Sequence, residues 1–107
     1  MFKAVGIWSW PAEDDVEEFE RYYLNDHVAA AAGVPNVERL TFLKAGDSGR
    51  AANIYRIAEM YFADEAAFEA AAESDGWATM VADATTMIER FGVELHACNG
   101  YEVEGGA

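Results

Sequence analysis

The order of strand-like and helix-like segments constrains this chain more than any other feature of its sequence. Four short runs are rich in apolar, β-branched and aromatic residues, which indicates strands at 2–9, 37–44, 53–62 and 93–103. Two longer runs, 14–32 and 63–91, repeat their apolar residues at helical spacing. The predicted order is therefore β-α-β-β-α-β.

Residues that favour turns and helix ends separate these segments. Gly33 closes the first helix, and the turn at 46–49 predicts a hairpin between the second and third strands. Asp64 is the predicted N-cap of the second helix, which we expect to break or kink at 74–76. Residues 104–107 are expected to form a frayed tail.

This order, within 107 residues, predicts one domain with an α+β, ferredoxin-like fold. Two helices would pack on one face of a four-stranded antiparallel sheet. The other face is also apolar, with Val5 and Ile7 in the first strand and Tyr55, Ile57 and Tyr61 in the third. Because an apolar sheet face is normally buried, we expect a homodimer that packs sheet against sheet.

The charge of the chain narrows the range of its partners. It contains 20 acidic and seven basic residues, which gives a formal net charge of −13. Such an acidic surface repels phosphate backbones and anionic headgroups, which argues against nucleic-acid and membrane partners. No secretory signal or membrane-length apolar run is visible, and Cys98 alone permits no intramolecular disulfide. These features predict a cytoplasmic protein.

His27 is the most informative residue of the first helix. Val16, Phe19, Tyr23 and His27 follow one another at intervals of three, four and four residues, which places them on one face. The imidazole is thus predicted to point inward, either as a structural group or as a general acid or base for a bound molecule. Tyr23, one turn earlier, is a candidate partner for a ligand oxygen or a core residue.

Other candidate site residues come from elsewhere in the chain. Asp83 lies among apolar residues of the second helix, so its carboxylate must be exposed or paired, and pairing would orient His27. A further group shares large aromatic rings that suit either a cavity wall or a simple core. This group consists of Trp8, Trp10, Phe42, Tyr61 and Trp77.

The sequence predicts neither a metal site nor a cofactor site. Glu94, His96 and Cys98 alternate along the fourth strand, but alternate residues lie about 7 Å apart, which suits a single ion poorly. The sequence contains no glycine-rich phosphate loop, dinucleotide fingerprint or serine-nucleophile elbow. We therefore expect no bound cofactor, with haem ligated by His27 or His96 as the alternative.

Three stretches share their pattern with a known family. They are YYLNDHV at 22–28 followed by Gly33-Val34-Pro35, the third strand running into 63–68, and SDGW at 74–77 followed by Asp83. From about residue 2 to 103 the chain resembles the EthD family of dimeric α/β-barrel proteins. The family motif places its histidine and tyrosine at His27 and Tyr23, and a common acidic position at Asp83.

The resemblance implies a homodimer whose two sheets form a barrel, with a cavity between sheet and helices. The wider group includes proteins of ether breakdown, cofactor-independent monooxygenases, polyketide cyclases and lactone isomerases, so it does not define one reaction. We expect an enzyme of catabolic or secondary metabolism that acts on an apolar oxygenated compound through His27. The alternative is a non-catalytic ligand-binding or auxiliary protein of an oxidative degradation pathway.

Overall fold

A single antiparallel sheet forms the centre of the molecule. The computed structural model describes residues 1–105, and Gly106 and Ala107 of the predicted tail lie outside the described residues. The strands are β1 (Phe2–Trp8), β2 (Arg39–Lys44), β3 (Arg56–Phe62) and β4 (Leu95–Tyr101). They lie in the spatial order β2-β3-β1-β4, and every neighbouring pair is antiparallel. This arrangement confirms the predicted ferredoxin-like fold.

The first helical region is continuous but changes its winding along its length. It begins with a 3₁₀ turn (Glu13–Asp15) and continues through α1 (Val16–Tyr22), a π-helical segment (Tyr23–His27) and α2 (Val28–Ala32). The sequence periodicity predicts one regular helix here. In the π-helical segment the backbone bonds reach five residues rather than four, so the direction in which later side chains point is shifted.

The connection between β2 and β3 differs from the predicted plain turn, because it contains a short helix, α3 (Ser48–Ala52). Asn53 ends this helix with a positive φ of 55°. At Gly49 a Cβ atom would lie 2.3 Å from the carbonyl oxygen of Ile54, so only glycine permits this compact loop. Tyr55 therefore precedes β3 and is buried in the core, whereas the sequence pattern placed it on the other sheet face.

The second helical region is divided, as the sequence predicted, into α4 (Glu65–Ala72) and α5 (Asp75–Phe91). The side chain of Asp64 caps α4 by accepting a hydrogen bond from the Ala67 amide at 2.8 Å. Ser74 caps α5 in the same way through the Trp77 amide at 3.1 Å. These caps satisfy amide groups that would otherwise lack partners at the two helix starts.

The two faces of the sheet differ in what covers them. The helix-covered face carries Trp8, Met60 and Phe62, which are buried. On the opposite face, called here the open face, Ile7 pairs across the strands with Ile57, and both are partly exposed. Side-chain alternation along the strands explains this division. Apolar residues on both faces agree with the sequence pattern, and dimerisation through the open face stays a prediction.

No helix within residues 1–105 combines the length and the apolar character that crossing a membrane requires.

Candidate functional site

A cavity of about 290 Å³ lies between α5 and the sheet. Small residues of the strands leave this space unfilled, because their side chains do not reach the helix. These small residues are Ala4, Gly6, Ala58 and Ala97. Apolar residues of α5, most of them larger, close the opposite side, and they include Trp77, Met80, Val81, Ala84 and Ile88. The cavity is thus predominantly apolar, which suits a small-molecule site.

His27 is the one ionisable side chain among the described residues that line this cavity. It is only 5% exposed. Its ring packs edge-on against the indole of Trp8, another wall residue, with 5.3 Å between ring centroids. His27, the last residue of the π-helical segment, therefore places an imidazole in an otherwise apolar cavity wall.

Asp83 of α5 lies directly behind His27. Its Oδ2 atom is 2.8 Å from Nδ1 of the imidazole, and its Oδ1 atom accepts a hydrogen bond from the Tyr22 hydroxyl at 2.6 Å. The hydrogen bond to Asp83, followed by burial, raises the pKa of Tyr22 to about 12, so this phenol remains a donor at neutral pH. The structure thus brings His27 and Asp83 together and adds Tyr22, which the sequence did not indicate.

Tyr23 occupies a different position from the one expected of a ligand partner. It is fully buried in the core, and its hydroxyl has no hydrogen-bond partner among the described residues. Its ring packs edge-on against Trp8 and lies 5.0 Å from the guanidinium of Arg56. Burial raises the pKa of its phenol. Tyr23 is not among the residues that line the cavity.

The reason why Tyr22 rather than Tyr23 meets Asp83 lies in the winding of the helix. Residues five apart in a regular α-helix point about 140° away from each other, so periodicity separates Tyr22 from His27. The π-helical segment starts immediately after Tyr22 and turns the two side chains toward the same carboxylate. No residue pattern in the sequence marks this segment.

The predicted aromatic wall is only partly assembled around the cavity. Trp8 and Trp77 line it. Phe42, on the far side of β3, packs against the ring of Tyr23 at 5.9 Å. Tyr61 lies on the open face, because it alternates with Met60, and its hydroxyl donates to Glu59 at 2.8 Å. Trp10 packs on Tyr55 with 4.4 Å between ring centroids.

The residues weighed as metal ligands lie elsewhere. His96 and Cys98 pair with Ile7 and Val5 and so belong to the open face, where both are exposed. Nε2 of His96 is 3.4 Å from a carboxylate oxygen of Glu94. Within residues 1–105, no three His, Cys, Asp or Glu side chains converge on one point.

The chemical capacity of the cavity follows from its polar groups. Among the described residues that line it, none is Lys, Arg, Asp or Glu, so the wall offers no charge to pair with an ionised ligand. The hydroxyl of Thr85 donates to the Val81 carbonyl at 3.1 Å. With Nδ1 of His27 engaged by Asp83, Nε2 is the ring nitrogen left for a bound molecule. The site is suited to an uncharged molecule that exchanges a proton.

Several solved structures are similar to this chain. An EthD family protein from Bacillus halodurans superimposes with a TM-score of 0.81 at 20% identity, over 96% of this chain and 99% of that one. SnoaB, a cofactor-independent oxygenase from Streptomyces nogalater, gives 0.64 at 18% identity, over 97% and 94%. A dimeric ferredoxin-like protein from an uncultured marine organism gives 0.59 at 10% identity, over 98% and 97%. At these identities the similarity shows the fold.

Sequence comparison identifies the family. The search of curated proteins returned no match. The family model described as the EthD domain matches residues 13–90, a range that contains both His27 and Asp83. Because this range covers most of the chain and the first of the structural relatives above is an EthD family protein, the chain belongs to the EthD domain family.

Proposed function

We propose that this protein is a cytoplasmic, homodimeric enzyme that acts on an uncharged, largely apolar oxygenated compound of catabolic or secondary metabolism. His27 is the general base and acid of the reaction, and no organic cofactor takes part. One observation carries the proposal. At the wall of an apolar cavity, a buried imidazole is held through Nδ1 by a carboxylate 2.8 Å away.

The hydrogen bond to Asp83 prepares His27 for proton transfer. A carboxylate that accepts from Nδ1 holds the ring in one tautomer and stabilises the imidazolium that forms when Nε2 takes a proton. His27 is only 5% exposed, which strengthens this interaction relative to a fully exposed pair. Asp83 is therefore assigned to orientation, and Nε2 of His27 to the proton transfer itself.

The substrate class follows from the same arrangement. Nε2 removes a proton from an acidic C–H or O–H group and leaves an enolate or phenolate in the cavity. Return of that proton to a different atom completes an isomerisation. In a cyclisation the enolate carbon first attacks a carbonyl carbon of the same molecule, and the alkoxide that forms takes the proton from His27. Alternatively, the phenolate adds dioxygen at a ring carbon, and loss of water from the hydroperoxide yields a quinone. The similarity to a cofactor-independent oxygenase supports this last route at the level of the fold.

A non-catalytic ligand-binding protein is the second candidate. The observation that favours it is the absence, from the described lining residues, of a second ionisable group that would return or relay the proton. A binder needs only the apolar walls and one hydrogen bond, donated by a ligand hydroxyl to Nε2 of His27. Trp8 and Trp77 would then serve as walls in both candidates.

The open face supports the dimeric state. Leu43 is 51% exposed there, and Val5, Ile7 and Ile57 are partly exposed around it. A contiguous apolar surface of this kind is typical of protein interfaces. Light scattering is expected to give about twice the monomer mass. A monodisperse monomer would contradict the sheet-to-sheet dimer.

The decisive experiment compares His27→Ala with His96→Ala, which removes the exposed histidine of the open face. Hydroxylated anthrones, naphthols and unsaturated lactones are the probes, with oxygen uptake and absorbance as the readouts. We expect His27→Ala to lose about a hundred- to ten-thousand-fold in turnover. The His96→Ala control lies on the proposed dimer face and should retain full turnover, with light scattering used to check that both variants keep the wild-type mass. Both variants should stay folded.

The same variants separate the enzyme from the binder. Binding of 1-N-phenylnaphthylamine, a neutral apolar fluorophore, is measured in parallel. If wild-type protein binds the fluorophore, turns over none of the probes and loses only thermal stability in His27→Ala, the ligand-binding function replaces the enzymatic one. Turnover that survives in His27→Ala would remove the histidine from the mechanism.

A further inference from the structure

Tyr22 and His27 belong to the same helical region, and both contact the carboxylate of Asp83. The Tyr22 hydroxyl donates to Oδ1 of Asp83 at 2.6 Å, and Nδ1 of His27 lies 2.8 Å from Oδ2. The two side chains are five residues apart, and the π-helical segment between them is what allows both to face α5. This local change of winding therefore links Tyr22, Asp83 and His27 by hydrogen bonds, and His27 lines the cavity.

We propose that Tyr22 is a positioning residue that holds Asp83 in the rotamer that fixes the tautomer of His27. With Oδ1 bound by the phenol, Oδ2 faces Nδ1–H, and the unprotonated Nε2 is the nitrogen available to the cavity. The consequence for proton transfer rests on the proposed function of His27. The arrangement of the three groups does not depend on it.

The surroundings of Asp83 explain why such a support is needed. Its side chain is still 16% exposed, so an unsupported carboxylate can rotate toward water. Both contacts are charge-assisted and short, which makes them roughly twice as strong as neutral hydrogen bonds. Loss of the Tyr22 hydroxyl would therefore release one of the two oxygens that fix the carboxylate.

Other charged groups near Tyr22 do not replace this contact. The guanidinium of Arg90 lies 5.6 Å from the Tyr22 ring and pairs with Glu18 at 3.2 Å. Asp26 is close enough to favour the protonated phenol, but it is an acceptor only. The ring of Tyr22 also packs edge-on against Phe91 at 6.2 Å, a contact that phenylalanine would keep. The hydroxyl can thus be removed without removing the packing.

The test uses imidazole ¹⁵N–¹H spectra of the ligand-free protein, which report the tautomer of His27 and the solvent exchange of Nδ1–H. We compare the wild type with Tyr22→Phe and with Tyr23→Phe, whose lost hydroxyl has no partner among the described residues. In Tyr22→Phe, Nδ1–H should exchange about tenfold faster or more, with a second tautomer appearing, because a hydrogen bond to a charged group is lost. In Tyr23→Phe the spectra should match the wild type.

Equal exchange rates and one tautomer in wild type and Tyr22→Phe would overturn the proposal. A second variant keeps the test available if Tyr22→Phe does not fold. Incorporation of 3-fluorotyrosine at position 22 keeps the phenol but makes it a stronger donor, so Asp83 accepts less strongly from Nδ1–H and that resonance should shift. An unshifted resonance would also overturn the proposal. Neither measurement involves substrate, so these outcomes are separate from the turnover test of His27.

Discussion

Two buried basic side chains, His27 and Arg56, each pair with a carboxylate, yet their surroundings give them different roles. His27 is 5% exposed and pairs with Asp83 of α5. Arg56 is 6% exposed and pairs with Glu20 of α1 through two hydrogen bonds, one of them from Nε at 3.1 Å. The first pair joins the π-helical segment to α5, and the second joins β3 to α1.

The difference lies in the remaining neighbours. Arg56 has the ring of Tyr23 on one side, 5.0 Å from the guanidinium, and does not line the cavity. A guanidinium also keeps its charge at every physiological pH, so this pair holds elements together. His27 instead has an empty volume beside it, and an imidazole, unlike a guanidinium, can act as an acid and a base. Access to free space, rather than contact with a carboxylate, distinguishes the candidate site.

Among these predictions, Asp83→Asn should have the largest effect, and that effect should be on turnover. The amide cannot hold His27 in the same tautomer as a carboxylate, so we expect turnover to fall by up to about ten-thousand-fold. The melting temperature should change little, because an amide of the same size can still form hydrogen bonds with Tyr22 and His27. A kinetic assay paired with thermal unfolding measures both. Full turnover in Asp83→Asn would remove Asp83 from the proposed mechanism.

The same chemical change in the other pair, Glu20→Gln, should have the opposite outcome. It leaves the charge of Arg56 buried without its carboxylate, and breaking a buried pair in this way costs about 3–5 kcal/mol. We expect the lower end of this range, because the Glu20 side chain is 19% exposed. Turnover per folded molecule should be unchanged. Denaturant unfolding gives the free energy, and a cost indistinguishable from zero would mean that the pair does not stabilise the fold.

A smaller effect should appear at acidic pH. Burial acts to raise the pKa of Glu20, but the hydrogen bond and charge of Arg56 outweigh it and hold the pKa below its ordinary value of 4.5. A lowered pKa in the folded state contributes stability above 4.5, and this is lost as the pH falls through the lower, folded value. Wild type should therefore lose more stability than Glu20→Gln below pH 4.5 in urea titrations. Parallel curves for the two proteins would contradict this assignment.

The fold was predictable because its signals are local. Strand patterns, the Gly33 helix end and the Asp64 cap all depend on residues a few positions apart, and the structure confirms the resulting order of elements. Errors appear where a loop has its own geometry. The left-handed Asn53 and the crowded Gly49 convert the expected turn before β3 into a short helix.

The sequence by itself determined that His27 points inward, because helical periodicity decides which face a residue joins. It left Asp83 either exposed or paired with His27, and only the tertiary structure decided for the pairing and added Tyr22. Asp83 is 56 residues from His27 and 61 from Tyr22, and local patterns carry no information about contacts at such separations. The π-helical segment, invisible in the sequence, then selected Tyr22 over Tyr23 for the contact with Asp83. The packing of α5 over small strand residues likewise created the cavity beside His27.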